Sequence, residues 1–496
     1  MRWLGAACFA FTALGCEPDP EAVGDPCGGD NCPGDMTCEE AVLDDGDTEE
    51  VCHAQPGTPC DRAGAPCGDD DEHTCKDLCA ADAICADDGD GGGVCARPIA
   101  EGGICDPKSR TDRCADGLVC SPNAEYTEYH CWKPLTVKGM VFDSATTNGI
   151  QGAQVIGLDD QKTAASDIAI TDAAGNYLLD VDMPRDATGA PIPDNKFTLR
   201  VSAKNYQTFP GGIRDALPIS TSEAMADEHG WTIQTPITDV ALILLPAAQQ
   251  GFASISGRVS GAEDRNAGAL VVAEGGDGIG YSAVADRSGD YTIFNVPDGS
   301  YTVTAYSAFL QVTPANVNVA GKADVLEVNL DESAEATGTI NGNVNIVNAP
   351  GGSVTSVVLV VESTFNELFI RGDVPRGLRA PLGPEPTIDG AFTIEGVPAG
   401  RYVVLAAFEN DLLVRDPDVC QGGTELVHTE MPRPGAVVDL ESSFKVTEAL
   451  ELIGPGATDP EAVSGMPTFT WVDDSSEIYY TAVVFNAYGE IVWCRS

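Results

Sequence analysis

Apolar and polar residues alternate along most of the chain after about residue 133, and this pattern predicts β-strands. The alternation is clearest in Tyr291–Phe294 and Tyr301–Ala305, where every second side chain is apolar and would share one face of a strand. Val296-Pro297-Asp298-Gly299 predicts a turn between the two segments. We therefore expect two successive antiparallel strands with inward apolar faces.

A repeated order of strands and turns divides this part of the chain into three modules. Each module begins with a glycine-containing strand and continues to a turn with aspartate and glycine: Val137–Val141 with Asp172–Gly175, Ser256–Val259 with Asp286–Gly289, and Thr339–Val344 with Asp389–Gly390. In such turns the aspartate accepts hydrogen bonds from the backbone ahead of it, and the glycine takes a positive φ. We predict modules at 133–247, 251–331 and 336–446, the first divergent because Met183-Pro184 begins a longer polar loop.

The second and third modules share a further motif, Val-Pro-x-Gly-x-Tyr, at Val296–Tyr301 and Val397–Tyr402. Together with the aspartate turns, this motif resembles the carboxypeptidase regulatory-like domain. The resemblance implies a transthyretin-like sandwich of seven strands, related to the carbohydrate-binding-like fold. In carboxypeptidases such a module accompanies the catalytic domain and does no chemistry itself. We therefore interpret the tyrosine, valine and proline residues of the motifs as core and turn residues.

The last segment, residues 447–496, has a different pattern. Pro467–Trp471 and Tyr480–Phe485 resemble the first strands of a fibronectin type III-like or immunoglobulin-like sandwich. Half a sandwich leaves an apolar face and strand edges uncovered. Either these strands dock on the preceding module, which would allow a Cys420–Cys494 disulfide, or the sequence is part of something longer. We favour the second interpretation.

The first residues of the chain have the features of an export signal. Arg2 supplies a positive charge, and Trp3–Gly15 is apolar but too short to span a bilayer as a helix. The stretch ends in Thr12-Ala13-Leu14-Gly15-Cys16, which resembles the lipobox of bacterial lipoproteins, although the leucine stands one position later than is usual there. The resemblance implies a signal peptide at 1–15, a lipid on Cys16 and a lipid-anchored linker at 16–26. The alternative is an ordinary cleaved signal that leaves Cys16 as a free thiol.

Residues 27–132 form a cysteine-rich region. Cys32–Cys38, Cys79–Cys85 and Cys114–Cys120 repeat one spacing, and each has further cysteines before and after it. In an exported chain this density predicts structural disulfides, because small segments bury too little apolar surface to fold without cross-links. The cysteines concerned are Cys27, Cys32, Cys38, Cys52, Cys60, Cys67, Cys75, Cys79, Cys85, Cys95, Cys105, Cys114, Cys120 and Cys131. Several connectivities are compatible with the spacing, so the pairing stays open.

Metal binding is the competing interpretation of this region. The chain has no C-x-x-C motif, and its histidines lack the spacing of zinc-finger ligands, so we favour disulfides over zinc. Asp44-Asp45-Gly46-Asp47 and Asp87-Asp88-Gly89-Asp90 are candidate calcium loops, but neither fits the EF-hand spacing. We predict solvated acidic loops at both places, and no metal or cofactor.

The composition agrees with an all-β class. A chain of 496 residues is too long for one core, and its 54 glycines and 32 prolines suit short strands joined by tight turns. The predicted fold is all-β, with a disulfide-stapled N-terminal region followed by tandem transthyretin-like or immunoglobulin-like sandwiches. The net charge of −50 opposes binding to nucleic acid, so we expect no nucleic-acid partner.

The sequence contains no recognisable catalytic motif. H-E-x-x-H, G-x-S-x-G and phosphate-binding glycine loops are all absent, and we predict that the chain is not an enzyme. Asp227-Glu228-His229 is interpreted as a loop without a catalytic role. Arg371-Gly372-Asp373 matches an adhesion tripeptide by chance and is expected to lie in a surface loop.

Two functions fit this organisation. The first is a non-catalytic structural or adhesive lipoprotein of the bacterial cell envelope, anchored to a membrane by its lipid and exposed at the outer membrane or cell surface. The alternative is a carbohydrate-binding surface protein, in which exposed aromatic side chains stack on sugar rings. Tyr206, Phe209 and Trp231 are candidates for such contacts, although core packing is expected for each. Glycans and envelope proteins are the expected partners.

Overall fold

The computed structural model describes residues 37–42, 48–53, 59–60, 65–67, 70–75, 84–87, 93–107, 112–115, 117–211, 214, 216–261, 265–347, 354–366, 372–382, 387–407, 427–440, 444–447, 452–456, 461–472, 482–485 and 491–495. Over these residues the chain is all-β, which confirms the predicted class. Its helices there are short 3₁₀ segments at Thr221–Glu223, Pro236–Thr238, Ala247–Gln249 and Glu362–Thr364. Within the same residues, no helix has the length and apolar character that a bilayer crossing requires.

The chain divides into two compact units. The first comprises Met1–Pro134, Asp182–Ile192 and Glu228–Trp231, and the second comprises Leu135–Val181, Pro193–Asp227 and Thr232–Ser496. Strands β1 to β10 belong to the first unit: Thr37–Val42, Thr48–His53, Pro59–Cys60, Ala65–Cys67, Asp70–Cys75, Ile84–Asp87, Gly93–Ile99, Asp112–Cys114, Val119–Pro122 and Tyr129–Trp132.

The first unit repeats one arrangement of cysteines across three hairpins. The cysteines that lie directly opposite each other are Cys38 and Cys52 in β1–β2, Cys85 and Cys95 in β6–β7, and Cys120 and Cys131 in β9–β10. In the third repeat, the disulfides are Cys105–Cys120 and Cys114–Cys131, so disulfides are confirmed there. The first cysteine of this repeat is joined to the third and the second to the fourth. Cys16 and the side chains of Cys27, Cys32, Cys38, Cys52, Cys60, Cys67, Cys75, Cys79, Cys85 and Cys95 lie outside the described residues.

The segment Asp182–Ile192 lies in the longer loop that begins near Met183-Pro184. Met183 and Arg185 are both almost fully buried, and the Arg185 amide donates to the Pro122 carbonyl at 2.8 Å. Burial lowers the pKa of the Arg185 guanidinium to about 10. The segment packs within the first unit, and these two residues of the loop are buried there.

Three sandwiches make up most of the second unit. The first has strands β11 to β19: Leu135–Asp143, Gln154–Asp159, Ala169–Ile170, Asn176–Val181, Lys196–Ser202, Ile219–Ser220, Met225–Asp227, Gly230–Ile233 and Val240–Leu242. The second has strands β20 to β26: Ala253–Ser260, Leu270–Gly275, Gly280–Val284, Asp290–Val296, Gly299–Tyr306, Ala315–Val319 and Leu330–Asp331. The third has strands β27 to β34: Gly338–Val347, Ser356–Val361, Arg379–Ala380, Ala391–Val397, Gly400–Ala407, Val427–Met431, Val437–Asp439 and Phe444–Thr447.

The three sandwiches share one arrangement of strands. In one sheet, the first strand of the module pairs antiparallel with one strand and parallel with a later one: β11 with β14 and β19, β20 with β23 and β26, and β27 with β30 and β33. The other sheets run β13-β12-β15-β16, β22-β21-β24-β25 and β29-β28-β31-β32. The predicted successive strands, β23 and β24, have the expected inward apolar faces but lie in opposite sheets and do not pair with each other.

A glycine faces an aromatic ring in the first sheet of every module. The opposing pairs are Gly139 with Tyr177, Gly257 with Tyr291, and Gly342 with Phe392. A side chain at any of these glycines would overlap the ring or the backbone behind it. In the first two modules the tyrosine hydroxyl also donates a 2.6 Å hydrogen bond, Tyr177 to the Thr238 carbonyl and Tyr291 to the Val328 carbonyl. The glycine therefore leaves room for the aromatic ring. In the first two modules the tyrosine hydroxyl then bonds to the backbone just before the last strand of the module.

The aspartate turns have the predicted chemistry in the first two modules. Asp172 accepts from the amide of Asn176 at 2.8 Å, and Asp286 accepts from the amide of Asp290 at 2.9 Å. Gly175 and Gly289 have φ of 83° and 87°, as expected for the position. The turn of the Val-Pro-x-Gly-x-Tyr motif is also held by a local hydrogen bond. The hydroxyls of Tyr301 and Tyr402 donate to the carbonyls of Pro297 and Pro398, respectively.

The first and second sandwiches pack against each other. Ile156, Leu158 and Ala164 of the first form a buried cluster with Ala267 of the second. At the edge of this contact, the Ile168 amide donates to the Asp286 carboxylate at 3.2 Å. Burial, reinforced by the Asp167 carboxylate, raises the pKa of Asp286 to about 6.

The second and third sandwiches share a continuous apolar core. Leu270, Val272 and Tyr306 point outward from the second sandwich and are buried among core residues of the third. Tyr306 meets the ring of Tyr402 edge-on, with centroids 5.9 Å apart. The backbone is joined as well, because the Phe309 amide donates to the carbonyl of Gly396 at 2.8 Å.

One ionic contact joins all three sandwiches. The guanidinium of Arg200 in the first module donates to Asp373 of the third and to Ser282 of the second, each at 3.1 Å. Ser282 also donates a short hydrogen bond to Asp373. The Arg200 side chain is 10% exposed, so this three-module junction is largely screened from solvent. The modules are therefore fixed against one another and do not form a flexible string.

Strands β35 to β38 follow the third sandwich at Leu452–Gly454, Thr470–Trp471, Ala482–Phe485 and Ile491–Arg495. They form two antiparallel pairs, β35 with β36 and β37 with β38. The predicted Cys420–Cys494 pairing lies outside the described residues.

We predict that Gly257→Ala destabilises the protein by at least about 2 kcal/mol, because the new methyl group overlaps the Val328 backbone, which cannot move without breaking strand pairing. Differential scanning calorimetry of the full chain should show a lower unfolding temperature. Gly276→Ala is the matched control, since a Cβ there meets nothing within 4 Å. Equal unfolding temperatures for the two variants would show that the close approach is unimportant.

We predict that the disulfide pattern of the third repeat recurs in the others, because all three hairpins place cysteines in the same register. By equivalence with Cys114–Cys131, the expected bonds include Cys32–Cys52 and Cys79–Cys95. Mass spectrometry of unreduced proteolytic fragments checks this prediction. Recovery of a Cys38–Cys52 bond would contradict it.

We predict that acidification stabilises the junction between the first two sandwiches. The pKa of Asp286 in the folded state, about 6, lies above the ordinary value of 3.8, so protonation favours folding. Its contribution is complete below pH 3.8 and is lost as the pH rises through 6, which amounts to about 2 kcal/mol between pH 4.5 and pH 7.5.

Asp167→Asn tests this linkage, because it removes a charge that raises the pKa of Asp286. The free energy of unfolding, measured by urea denaturation at both pH values, should change less with pH in this variant than in the parent. Glu327→Gln is the control, because it also removes one negative charge but lies elsewhere on the second sandwich. The linkage is absent if both variants change the pH dependence equally.

Candidate functional site

The three aromatic residues predicted as sugar contacts are engaged in other ways. Tyr206 is half-buried, and its hydroxyl is hydrogen-bonded to Asp143. The ring of Phe209 is covered by the Arg214 guanidinium, which lies 4.6 Å from its centroid. Trp231 is half-buried and belongs to the first unit, whereas Tyr206 and Phe209 belong to the second.

The residues of Asp227-Glu228-His229 and Asp373 of the Arg371-Gly372-Asp373 tripeptide have contacts within the protein. Asp227 accepts the hydroxyl of Thr232 at 2.6 Å, and the exposed His229 lies 3.4 Å from Glu228. Asp373 of the Arg371-Gly372-Asp373 tripeptide is bonded within the three-module junction, and Arg371 lies outside the described residues. Asp373 lies in a partly exposed loop, and its carboxylate contacts Arg200 and Ser282 of two other modules.

Among the described residues, one group of side chains has the spacing of metal ligands, namely Cys105, Cys114 and Cys120. All three sulfurs are bonded in disulfides and so cannot act as thiolate ligands. The acidic loops at Asp44–Asp47 and Asp87–Asp90 lie outside the residues whose side chains are described.

The feature best suited to binding is a groove of about 620 Å³ on the second sandwich. Its floor is the outward face of β21, β24 and β25, and it ends at Tyr306, Gln311 and, from the third sandwich, Ala399. The Ala399 amide donates to the Gln311 side chain at 2.9 Å, which fixes this end of the groove. The groove exists because the third sandwich covers only part of the sheet: Val272 is buried beneath it, while Thr302 remains exposed.

Two pairs of hydroxyl and carboxamide side chains cross the floor between β24 and β25. Ser300 donates to the Asn318 side-chain oxygen at 3.2 Å, and Thr302 donates to that of Asn316 at 3.4 Å. The residues of each pair lie directly opposite each other in the strand register. Each pair is thus held in place by its own hydrogen bond and is open to solvent. We call these four residues the groove pairs.

A chain of ion pairs lies beside the groove and joins the second and third sandwiches. Arg401 contacts Glu274, which lines the groove, and also Glu362, each at 3.2 Å. Glu362 in turn accepts from His428 at 2.6 Å. Arg401 is therefore shared between two carboxylates and offsets only part of the negative charge of Glu274.

The tyrosines that line the groove are neutral and almost fully buried. Burial raises the pKa of Tyr306 well above its ordinary value, and burial, with Tyr281 and two nearby carboxylates, raises the pKa of Tyr301. Neither phenol ionises near neutral pH. The hydrogen-bonding groups that the groove offers to a ligand are therefore the neutral side chains of the groove pairs.

Sequence reasoning missed the groove, although its signal is present. In Gly299–Tyr306 and Ala315–Val319 the inward residues identify the core, while the alternate positions hold serine, threonine and asparagine. These outward residues identify the exposed face. The wall contributed by Ala399 could not have been found, because it depends on how two modules pack.

Comparisons with solved structures give distant similarities. The chain is 11% identical to the Bacillus anthracis TIE protein over 66% of this chain and 58% of that one, with a TM-score of 0.15. It is 11% identical to BcpA, the major pilin subunit of Bacillus cereus, over 64% of this chain and 99% of the pilin, with a TM-score of 0.17. For the minor pilin of Streptococcus agalactiae the identity is 13% over 43% of this chain and 100% of the pilin, with a TM-score of 0.17.

These scores are too low to support a conclusion about function, and the chain spans little more than half the length of the first of these proteins. No curated protein matches the sequence at a significant level. A match to a protein family covers residues 254–331, which hold the glycine–aromatic contact, the aspartate turn and the floor of the groove. This second sandwich is a carboxypeptidase regulatory-like domain.

Proposed function

We propose that this chain is a non-catalytic structural and adhesive protein of the bacterial cell envelope, tethered to a membrane through a lipid on Cys16 and exposed at the cell surface. The observation that carries the proposal is the junction of Arg200, Ser282 and Asp373, which fixes three sandwiches into one body. Modules joined in this way hold a binding face on one of them in a constant orientation relative to the other two.

The cellular location is supported by two further features. The disulfides Cys105–Cys120 and Cys114–Cys131 are typical of chains that fold in an oxidising compartment outside the cytoplasm. The apolar stretch Trp3–Gly15 followed by Cys16 supplies a route to that compartment and an attachment point. The net charge of −50 favours solubility at a crowded surface.

A carbohydrate-binding role is the second candidate, and a specific observation favours it. The groove on the second sandwich presents neutral hydroxyl and carboxamide groups beside tyrosines. This support comes from the second module, whereas the aromatic residues first considered are in other parts of the chain.

We predict that the full chain, expressed with its own signal in a host that processes lipoproteins, loses residues 1–15 and gains an acyl-modified Cys16. Intact mass spectrometry should show the modification, and the protein should enter the detergent phase on Triton X-114 partition. Cys16→Ala should abolish both results, because it removes the acceptor thiol.

Cys8→Ala is the matched control, since Cys8 lies in the segment that is removed, and this variant should behave like the parent. An unmodified, water-soluble product from the parent sequence would refute the lipid tether.

A further inference from the structure

The groove pairs offer a repeated arrangement of hydrogen-bonding groups. In each pair the asparagine oxygen accepts from the neighbouring hydroxyl, so the amide nitrogen is left to donate outward. Within the described residues, the side-chain nitrogens of Asn316 and Asn318 have no other hydrogen-bond partner. The hydroxyl oxygens of Ser300 and Thr302 retain lone pairs that can accept. Each pair therefore combines an outward donor with an adjacent acceptor.

The two pairs stand two residues apart along both strands, which places them about 7 Å apart. A ligand that lies across them must offer adjacent donor and acceptor groups at repeated positions. Neighbouring hydroxyls on successive sugar rings have this property, because each hydroxyl both donates and accepts.

The charge of the groove limits the ligand further. Among the described residues, Glu274 is the carboxylate that lines it, and Arg401 pairs with it while also pairing with Glu362. An anionic ligand would meet the field of a chain with a net charge of −50 and no unpaired cation on the groove floor. A cationic ligand would have to compete with Arg401 for Glu274. An uncharged ligand avoids both costs.

The shape of the groove favours a glycan over a peptide. A peptide that binds in extended form uses the free edge of a strand and pockets for alternate side chains. The groove instead presents the face of a sheet, on which short polar side chains stand side by side. The exposed Pro314 lines the same space and offers apolar contact to the carbon–hydrogen faces of sugar rings, whereas Tyr301 and Tyr306 are almost fully buried where they line it.

We propose that this groove binds an uncharged glycan, with Asn316 and Asn318 donating to sugar hydroxyls. The hydroxyls of Ser300 and Thr302 accept from the same sugars, and Tyr306 and Gln311 close one end of the site. This site rests on the proposed adhesive function and gives it a ligand class.

Affinity electrophoresis of the full chain tests the site, with soluble β-glucan, starch, mannan and xylan embedded in separate native gels. At least one of these neutral polysaccharides should retard the parent, while an alginate gel, which carries carboxylates, should not. The double variant Asn316→Ala, Asn318→Ala should bind the retarding polysaccharide at least tenfold more weakly, because it removes both outward donors.

The control variant is Asn341→Ala, Thr393→Ala. These residues form the same hydrogen-bonded pair at 2.9 Å on the third sandwich but do not line the groove. Its binding should equal that of the parent. The proposal is overturned if none of the four neutral gels retards the parent, or if the groove variant binds as tightly as the control. Because detergent partition is measured separately, failure of glycan binding is distinguishable from failure of the lipid tether.

Discussion

The outward face of one sheet in the second sandwich has to be covered, because Leu270 and Val272 point away from their own core. The third sandwich supplies that cover, and Tyr306 completes the contact against Tyr402. Two results follow from this burial of apolar surface. The second and third modules cannot separate without exposing core residues to water, and the part of the sheet that remains uncovered becomes the floor of a groove with a wall from another module.

The three-module junction constrains how the modules are oriented relative to one another. Arg200, Ser282 and Asp373 come from three modules, and the ion pair is largely removed from solvent. Burying such a pair gains little net stability, since desolvation offsets the attraction. Its geometry is demanding, however, because one guanidinium must meet two partners at once. We infer that apolar burial holds the modules together and that the junction selects one arrangement among those that apolar contact alone would allow.

Local chemistry could be predicted from the sequence, and contacts between modules could not. The turns at Asp172 and Asp286 follow from hydrogen bonding within a few residues, so their motifs predict them directly. The two successive strands β23 and β24 were predicted with their inward faces, but that the short turn between them crosses from one sheet to the other was not. The contacts of Asp373 with Arg200 and Ser282 could not be predicted, because these partners are far away in sequence. The groove residues were visible as polar alternate positions, but only packing shows which of them line a concave surface.

The parallel pairing of the first strand with a strand near the end of its module has a mechanical consequence. In the second sandwich, β20 and β26 run parallel at Val259 and Leu330, and β27 pairs with β33 in the same way in the third. When a chain is pulled from its two ends, parallel neighbouring terminal strands slide lengthwise past each other. The hydrogen bonds of the ladder are then loaded together in shear instead of opening one by one. Each sandwich should thus resist tension transmitted along the chain until the whole ladder gives way.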